Sequence, residues 1–170
     1  MIGRRRDPLA DPEPLIRRVY AYVAYRLGDG VVAEDVTSDV FERAVRYSAS
    51  YDPSRGPPIA WLMGIARRSI EDSRARSSPQ MEQLADSAAP EDVEEEAIRR
   101  ISLSWAVGRL GFRDRELIAL RYGADLSSAQ IAAILDLTPN AVEVALHRAR
   151  ERLRSSLESD ESVRIEARQE

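Results

Sequence analysis

Residues 127–153 read "SSAQIAAILDLTPNAVEVALHRARERL": a short apolar helix, a four-residue turn and a longer helix. Ser127 and Thr138 stand where a hydroxyl can accept from an open first-turn amide, and Pro139 suits a first helical position, where no intrahelical amide is needed. Ile131, Ala132, Ala133, Ile134 and Leu135 supply the small and apolar surface of a close helix crossing, answered by Val142, Leu146 and Leu153 on the second helix. This is a helix-turn-helix pattern, and with the helical spacing of the rest of the chain it predicts an all-α fold. A helical hairpin without a ligand satisfies the same spacing. Arg148, Arg150, Arg152 and Arg154 favour a nucleic-acid partner over it, because a structural hairpin does not need four like charges in seven residues. The front of the same helix, Ala141 to Ala145, is acidic and apolar instead.

Upstream, Ile98, Ile101, Leu103, Trp105, Ala106 and Leu110 predict an inward helix face ending at Gly111, and "RDRELIALRYGADL" a helix closed by Gly123. Before these lies "SSPQMEQLADSAAPEDVEEEA" (77–97), with two prolines, seven acids and no positive charge, the composition of a solvated linker. The first 76 residues repeat the helical spacing. Leu15, Ile16, Val19, Tyr20, Val23 and Leu27 form one face ahead of the stop signal "GDG"; Val32, Val36, Val40, Phe41 and Ala44 form the next, over about 32–48. "SYDPSRGPP" (50–58) must be a loop, since three prolines and a glycine cannot sit inside a helix. A third helix, about 59–76, turns Trp61, Leu62, Ile65, Ala66 and Ile70 inward and leaves Arg67, Arg68, Arg74 and Arg76 available. The expected organisation is an extension (1–11), two helical units (12–76 and 98–157) joined by the linker, the second containing the helix-turn-helix, and an acidic tail (158–170).

The 170 residues carry a net charge of -4, which looks wrong for a nucleic-acid binder until it is divided. Residues 1–76 and 98–157 are basic, with 13 Arg against 11 acids and 10 Arg against 6; the linker and tail hold the acidic excess. All 25 basic residues are Arg, the planar fork suited to phosphate. Cysteine is absent and His147 is the only histidine, so disulfides and thiolate chemistry are excluded and no metal or cofactor is expected. No apolar run approaches the ~20 residues a membrane helix needs, and the start of the chain has no signal-peptide core. A cytoplasmic location without membrane insertion is the expectation.

The acidic residues Glu34, Asp35, Asp39 and Glu42 are either the wet side of their helix or a docking face for a basic protein partner. Glu34 and Asp35 are not a general acid and base, because adjacent helical residues do not face each other. Tyr51 and Trp61 offer rings on which single-stranded bases can stack, though core packing suits Trp61 equally. His147 is a polar helix residue or a phosphate contact. With no phosphate loop and no reactive triad, no enzyme activity is expected.

Two blocks together carry a family likeness. "AEDVTSDVFERAVR" followed by "YDPSRGPPIAWLMGIARR" resembles domain 2 of the extracytoplasmic-function (ECF, group IV) sigma factors of the sigma-70 family, and residues 108–154 resemble their domain 4. The resemblance implies a subunit that directs core RNA polymerase to promoters, helps melt them, and is held idle by an anti-sigma factor. It implies that Glu34, Asp35, Asp39 and Phe41 meet the beta-prime subunit of a core that also includes beta. It places Tyr51, Arg55, Trp61, Arg67, Arg68, Asp72 and Arg74 at the -10 element of promoter DNA. At the -35 element it places Thr138, Asn140, Glu143, Val144, Ala145, His147, Arg148 and Arg150. Three departures accompany it: Arg68 replaces a common Asn, Glu143, Val144 and Ala145 replace a common Lys, Ser and Arg, and prolines 8, 12 and 14 interrupt the family's extra N-terminal helix. Altered promoter preference follows from the first two. The rival readings from other classes are a stand-alone helix-turn-helix regulator and a sigma mimic that sequesters an anti-sigma factor.

Overall fold

A computed structural model of the chain describes residues 7–76 and 103–167, with side chains as far as Ser159. The Arg cluster at 4–6, the linker 77–97 and Ile98 and Ile101 lie outside the described residues. Among those described there is no strand, and the all-α expectation holds. The helices are α1 (Pro12–Leu27), α2 (Val31–Arg46), α3 (Pro58–Arg76), α4 (103–109), α5 (Phe112–Ile118), α6 (Ser128–Leu135) and α7 (Pro139–Ala167).

Pro12 starts α1 three residues earlier than its apolar stripe suggests, because proline costs nothing where the first-turn amides are unpaired anyway. Its buried face is Val19, Tyr22, Val23 and Arg26, while Ile16, expected inward, is exposed. The face is rotated because α1 is covered on two sides, by α2 and α3 on one and by the C-terminal helices on the other. Gly28, at φ 91, ends the helix in a conformation that other residues rarely adopt.

In α2 the buried residues are Ala33, Val36, Thr37, Val40 and Ala44. Val32, expected inside, is exposed beside Val31; Thr37 takes the inward place by donating its hydroxyl to the Ala33 carbonyl at 2.7 Å. The proline-rich connection forms two 3-10 turns, Ser48–Ser50 and Pro53–Arg55, the second capped by Asp52, which accepts from the Ser54 amide. In α3, Ile59, Leu62, Met63, Ala66, Ser69 and Ile70 are buried, with Trp61 and Ile65 half-buried at the edge.

The C-terminal helices pack around α7. Ala106, Val107 and Leu110 are buried, whereas Trp105, expected inward, is exposed under the Arg109 guanidinium at 4.7 Å. After α5 the chain widens into one π turn, Ala119–Gly123, closed by the Ala124 amide on the Ala119 carbonyl at 2.9 Å. That turn lies on α1. The main apolar core is consequently continuous from Val19 and Leu62 to Leu120, Ile131 and Leu146, and runs through both halves of the chain. Finally, α7 continues past residue 157 to Ala167, so the acidic tail begins as helix.

Candidate functional site

The helix-turn-helix is built by local bonds. Ser127 and Gln130 cap α6 reciprocally: the Ser127 hydroxyl accepts from the Gln130 amide at 3.3 Å, and the Gln130 side-chain oxygen accepts from the Ser127 amide at 2.8 Å. Asp136 ends α6 in the left-handed region, at φ 55, a place a short acidic side chain tolerates better than most. Thr138 then caps α7, accepting from the Ala141 amide at 3.2 Å. Ile131 and Ala132 meet Val142 and Leu146 in the core at the crossing; Ala133, expected there, is exposed, and Ala149 is buried instead.

Burial of Val142, Leu146 and Ala149 leaves Asn140, Glu143, Val144, His147, Arg148 and Arg150 exposed along α7. The Glu143 carboxylate accepts from the Ser128 hydroxyl, tying α7 to the start of α6. Ala145 is half-buried and lines a cleft of about 320 Å³ with Arg113, Asp114, Leu117 and Arg152, which Arg148 borders from the exposed stripe. Arg152 bonds to Asp114 at 2.6 Å and Arg154 to Glu151 at 3.3 Å, while Arg148, Arg150 and His147 have no side-chain partner among the described residues. Two guanidiniums of the basic series are thus structural and two are uncommitted.

In the first half, Glu34 and Asp35 are exposed near the exposed Val31 and Val32. Phe41 is half-buried against the core. Asp39 belongs to a chain of charges: Arg43 pairs with it at 2.9 Å and with Asp72 of α3 at 2.7 Å. The hydrogen bond that Arg43 donates to Asp72 raises it above the ordinary guanidinium value, with a smaller contribution from the one to Asp39. Tyr51 and Trp61 lie with ring centres 5.6 Å apart, and the Tyr51 hydroxyl donates to the Gly56 carbonyl at 3.0 Å. Arg55 and Arg68 are exposed.

Arg67 and Arg74, expected to be available, point into the seam between the two halves. Arg67 pairs with Glu116 of α5 at 3.3 Å and donates to the Ile134 carbonyl of α6 at 3.3 Å. Arg74 donates to the Arg26 carbonyl at 3.2 Å and stacks over Phe112 at 5.3 Å. The seam centres on Glu116, whose carboxylate takes an ion pair from Arg26 and a hydrogen bond from the Tyr22 hydroxyl at 2.8 Å. Burial pushes Arg26 below the usual guanidinium value, but that value starts so far above neutrality that the cation persists. Burial likewise raises the Tyr22 phenol. Tyr22, Arg26 and Glu116 were not read from the sequence; their only local signal is a charge inside an apolar stripe, Arg26 after Val19, Tyr22 and Val23, and Glu116 before Leu117 and Ile118.

Residues 13–79 match Sigma-70 region 2, and residues 103–153 match Sigma-70, region 4. The chain belongs to the sigma-70 family. Region 2 falls on α1 to α3, and region 4 on α4 through the first half of α7. A sigma factor catalyses no reaction itself; it acts in transcription initiation. Among its relatives, the ECF RNA polymerase sigma factor SigL of Mycobacterium tuberculosis is 30% identical over 146 residues, covering 82% of either chain. The ECF RNA polymerase sigma factor BldN of Streptomyces coelicolor is 32% identical over 155 residues, 86% of this chain but 56% of BldN, so this chain spans little more than half of that relative. Among solved structures, CnrH in complex with the cytosolic domain of CnrY aligns with a TM-score of 0.57 at 27% identity, covering 86% of this chain and 82% of CnrH. The sigma factor RpoE from Bartonella quintana, solved with the anti-sigma factor NepR, aligns at 0.66 and 24% identity, covering 86% and 93%, and shows the shared fold. Among the described residues, no helix of this sigma factor is long and apolar enough to cross a membrane.

Proposed function

We propose that the protein is an ECF-group sigma factor of the cytoplasm that binds core RNA polymerase, carries it to particular promoters and assists their melting. The observation that carries this reading is the pairing of two basic helical units, each matching a different sigma-70 region, in one chain. The first unit (12–76) takes the polymerase and the -10 element; the second (98–157) takes the -35 element.

In this reading α2 docks on the beta-prime subunit. Its exposed Glu34 and Asp35, beside exposed Val31 and Val32, combine acidic and apolar surface, with Asp39 and the half-buried Phe41 behind them. At the -10 element, Tyr51 and Trp61 stack on unpaired bases while Arg55, Arg67, Arg68 and Arg74 hold backbone phosphate and Asp72, through Arg43, positions α3. On α7, Asn140, Glu143 and Val144 face base edges, Ala145 supports them from the cleft, and His147, Arg148 and Arg150 hold phosphate. Thr138 acts by capping the helix. The acidic linker and tail keep the free subunit off bulk DNA. The likeness to CnrH, solved with part of a second protein, supports control by an anti-sigma factor that clamps both units.

Co-elution with core polymerase tests this reading. The wild type should comigrate with core, and Glu34→Arg with Asp35→Arg should weaken that association at least tenfold while leaving the helical spectrum unchanged. Failure of the wild type to associate with core would overturn the proposal.

A further inference from the structure

We propose that the two DNA-reading halves hold each other closed without any second protein, and that Glu116 is the clasp that withholds Arg67 from DNA. Glu116 is 5% exposed, and the donors that reach its carboxylate, Arg26, Tyr22 and Arg67, come from α1 and α3 in the other half. A buried carboxylate whose donors all lie across a seam is written for the closed arrangement, because opening would leave those groups to find other partners.

Gly123 gives a second, independent sign. A Cβ there would lie 2.8 Å from the Cα and amide nitrogen of Tyr22 and 2.9 Å from the carbonyl carbon of Ala21. Its φ is not positive, so the backbone conformation does not call for glycine; the close approach of α1 does. Arg18 completes the seam from the rim, donating to the carbonyls of Ala124 at 2.8 Å and Asp125 at 3.0 Å.

The clasp bears on function because Arg67 is the -10 candidate it engages. Two of its guanidinium nitrogens are engaged, Nε by a Glu116 carboxylate oxygen and Nη1 by the Ile134 carbonyl, which leaves the side chain 38% exposed but without a free edge of Nε and Nη1 for a phosphate. Glu116 therefore competes with a phosphate for the Nε of Arg67 until the halves part. The role given to Arg67 rests on the function proposed above; the closed form rests on the geometry alone.

The chain has no cysteine, so Ser50→Cys and Ser155→Cys carry a dye pair that reports the distance between the halves. In this labelled full-length protein, three separate changes strike the seam: Gly123→Leu as a wedge, Glu116→Gln at the clasp, and Arg18→Ala at the rim, the mildest for folding. Energy transfer should be high in the parent and fall in Gly123→Leu and Glu116→Gln. Affinity for a fluorescent random-sequence single-stranded 20-mer should rise about tenfold, the gain expected when an open fraction near one tenth becomes the whole population. Adding Arg67→Ala to Gly123→Leu should abolish most of that gain. Unchanged transfer in all three variants, with helical spectra intact, would overturn the closed form. Lost transfer without any gain in affinity would overturn the withholding of Arg67. Co-elution of the parent with core polymerase reads the function separately, so a failure there leaves the clasp measurement standing.

Discussion

Arg26 and Glu116 are 3% and 5% exposed and form a buried ion pair, with Tyr22 and Arg67 also reaching the carboxylate. Removing one partner of such a pair costs about 3–5 kcal/mol, whereas replacing both with apolar residues of similar volume is often neutral or stabilising. Glu116→Ala should accordingly lower unfolding free energy by about that amount, and Arg26→Met with Glu116→Leu should recover most of it, as read from urea denaturation. Near-equal stability of the single variant and the wild type would show that the pair is not buried in solution. Tyr22 adds a pH signature. Its phenol is raised by burial, so its contribution is complete below the ordinary tyrosine value of about 10 and is lost as pH rises through the higher folded value. The urea midpoint should fall above about pH 10, and Tyr22→Phe should flatten the fall. At this scale the legible residues were those whose partners are close in sequence: Ser127, Thr138 and Pro139 all take the capping positions expected of them. Tyr22 and Glu116 are 94 residues apart, and no spacing rule reaches that far.

Helix type and order follow from periodicity, but the direction each helix faces depends on what covers it. For α1 the sequence stripe pointed to Ile16 and Tyr20, while cover on a second side rotates burial to Tyr22 and Arg26. For α2, Val32 lies exposed in the first turn, while Thr37 is buried with its hydroxyl satisfied on the preceding turn. In α7 the helix was legible and its length was not, since an acidic tail reads as solvated chain whether or not it is helical. The exposed stripe of α7 separates two kinds of contact. Glu143→Lys should change which -35 sequences the polymerase complex prefers, with discrimination shifted by about 1–3 kcal/mol at a base pair, because a carboxylate accepts from a cytosine amino group and an ammonium does not. Arg148→Ala should weaken binding to all sequences alike and reduce the salt dependence by about one phosphate contact. Competition between -35 variants in a mobility-shift assay with the polymerase complex checks both. Equal losses on every sequence from both substitutions would show that the front of α7 does not read bases.

The molecule is two basic halves joined by an acidic segment, and its core passes from one half into the other. Two basic units divided by an acidic stretch were legible from charge and proline content. Their mutual packing was not, because it rests on a glycine whose use is a close approach and on charges that read as solvated until their partners are in place. The same packing turns Arg67 and Arg74 inward, although their positions on α3 marked them as free. Overall negative charge and the proposed closed seam act in the same direction, so the isolated subunit should bind DNA poorly compared with its complex with the polymerase, as read in a mobility-shift assay. The most direct measurement is run-off transcription from a library of genomic fragments, with core polymerase, with and without this protein. Start sites that appear only when the protein is added, sharing a -10 and a -35 sequence, are the predicted result; an unchanged set of transcripts would contradict its action as a sigma factor.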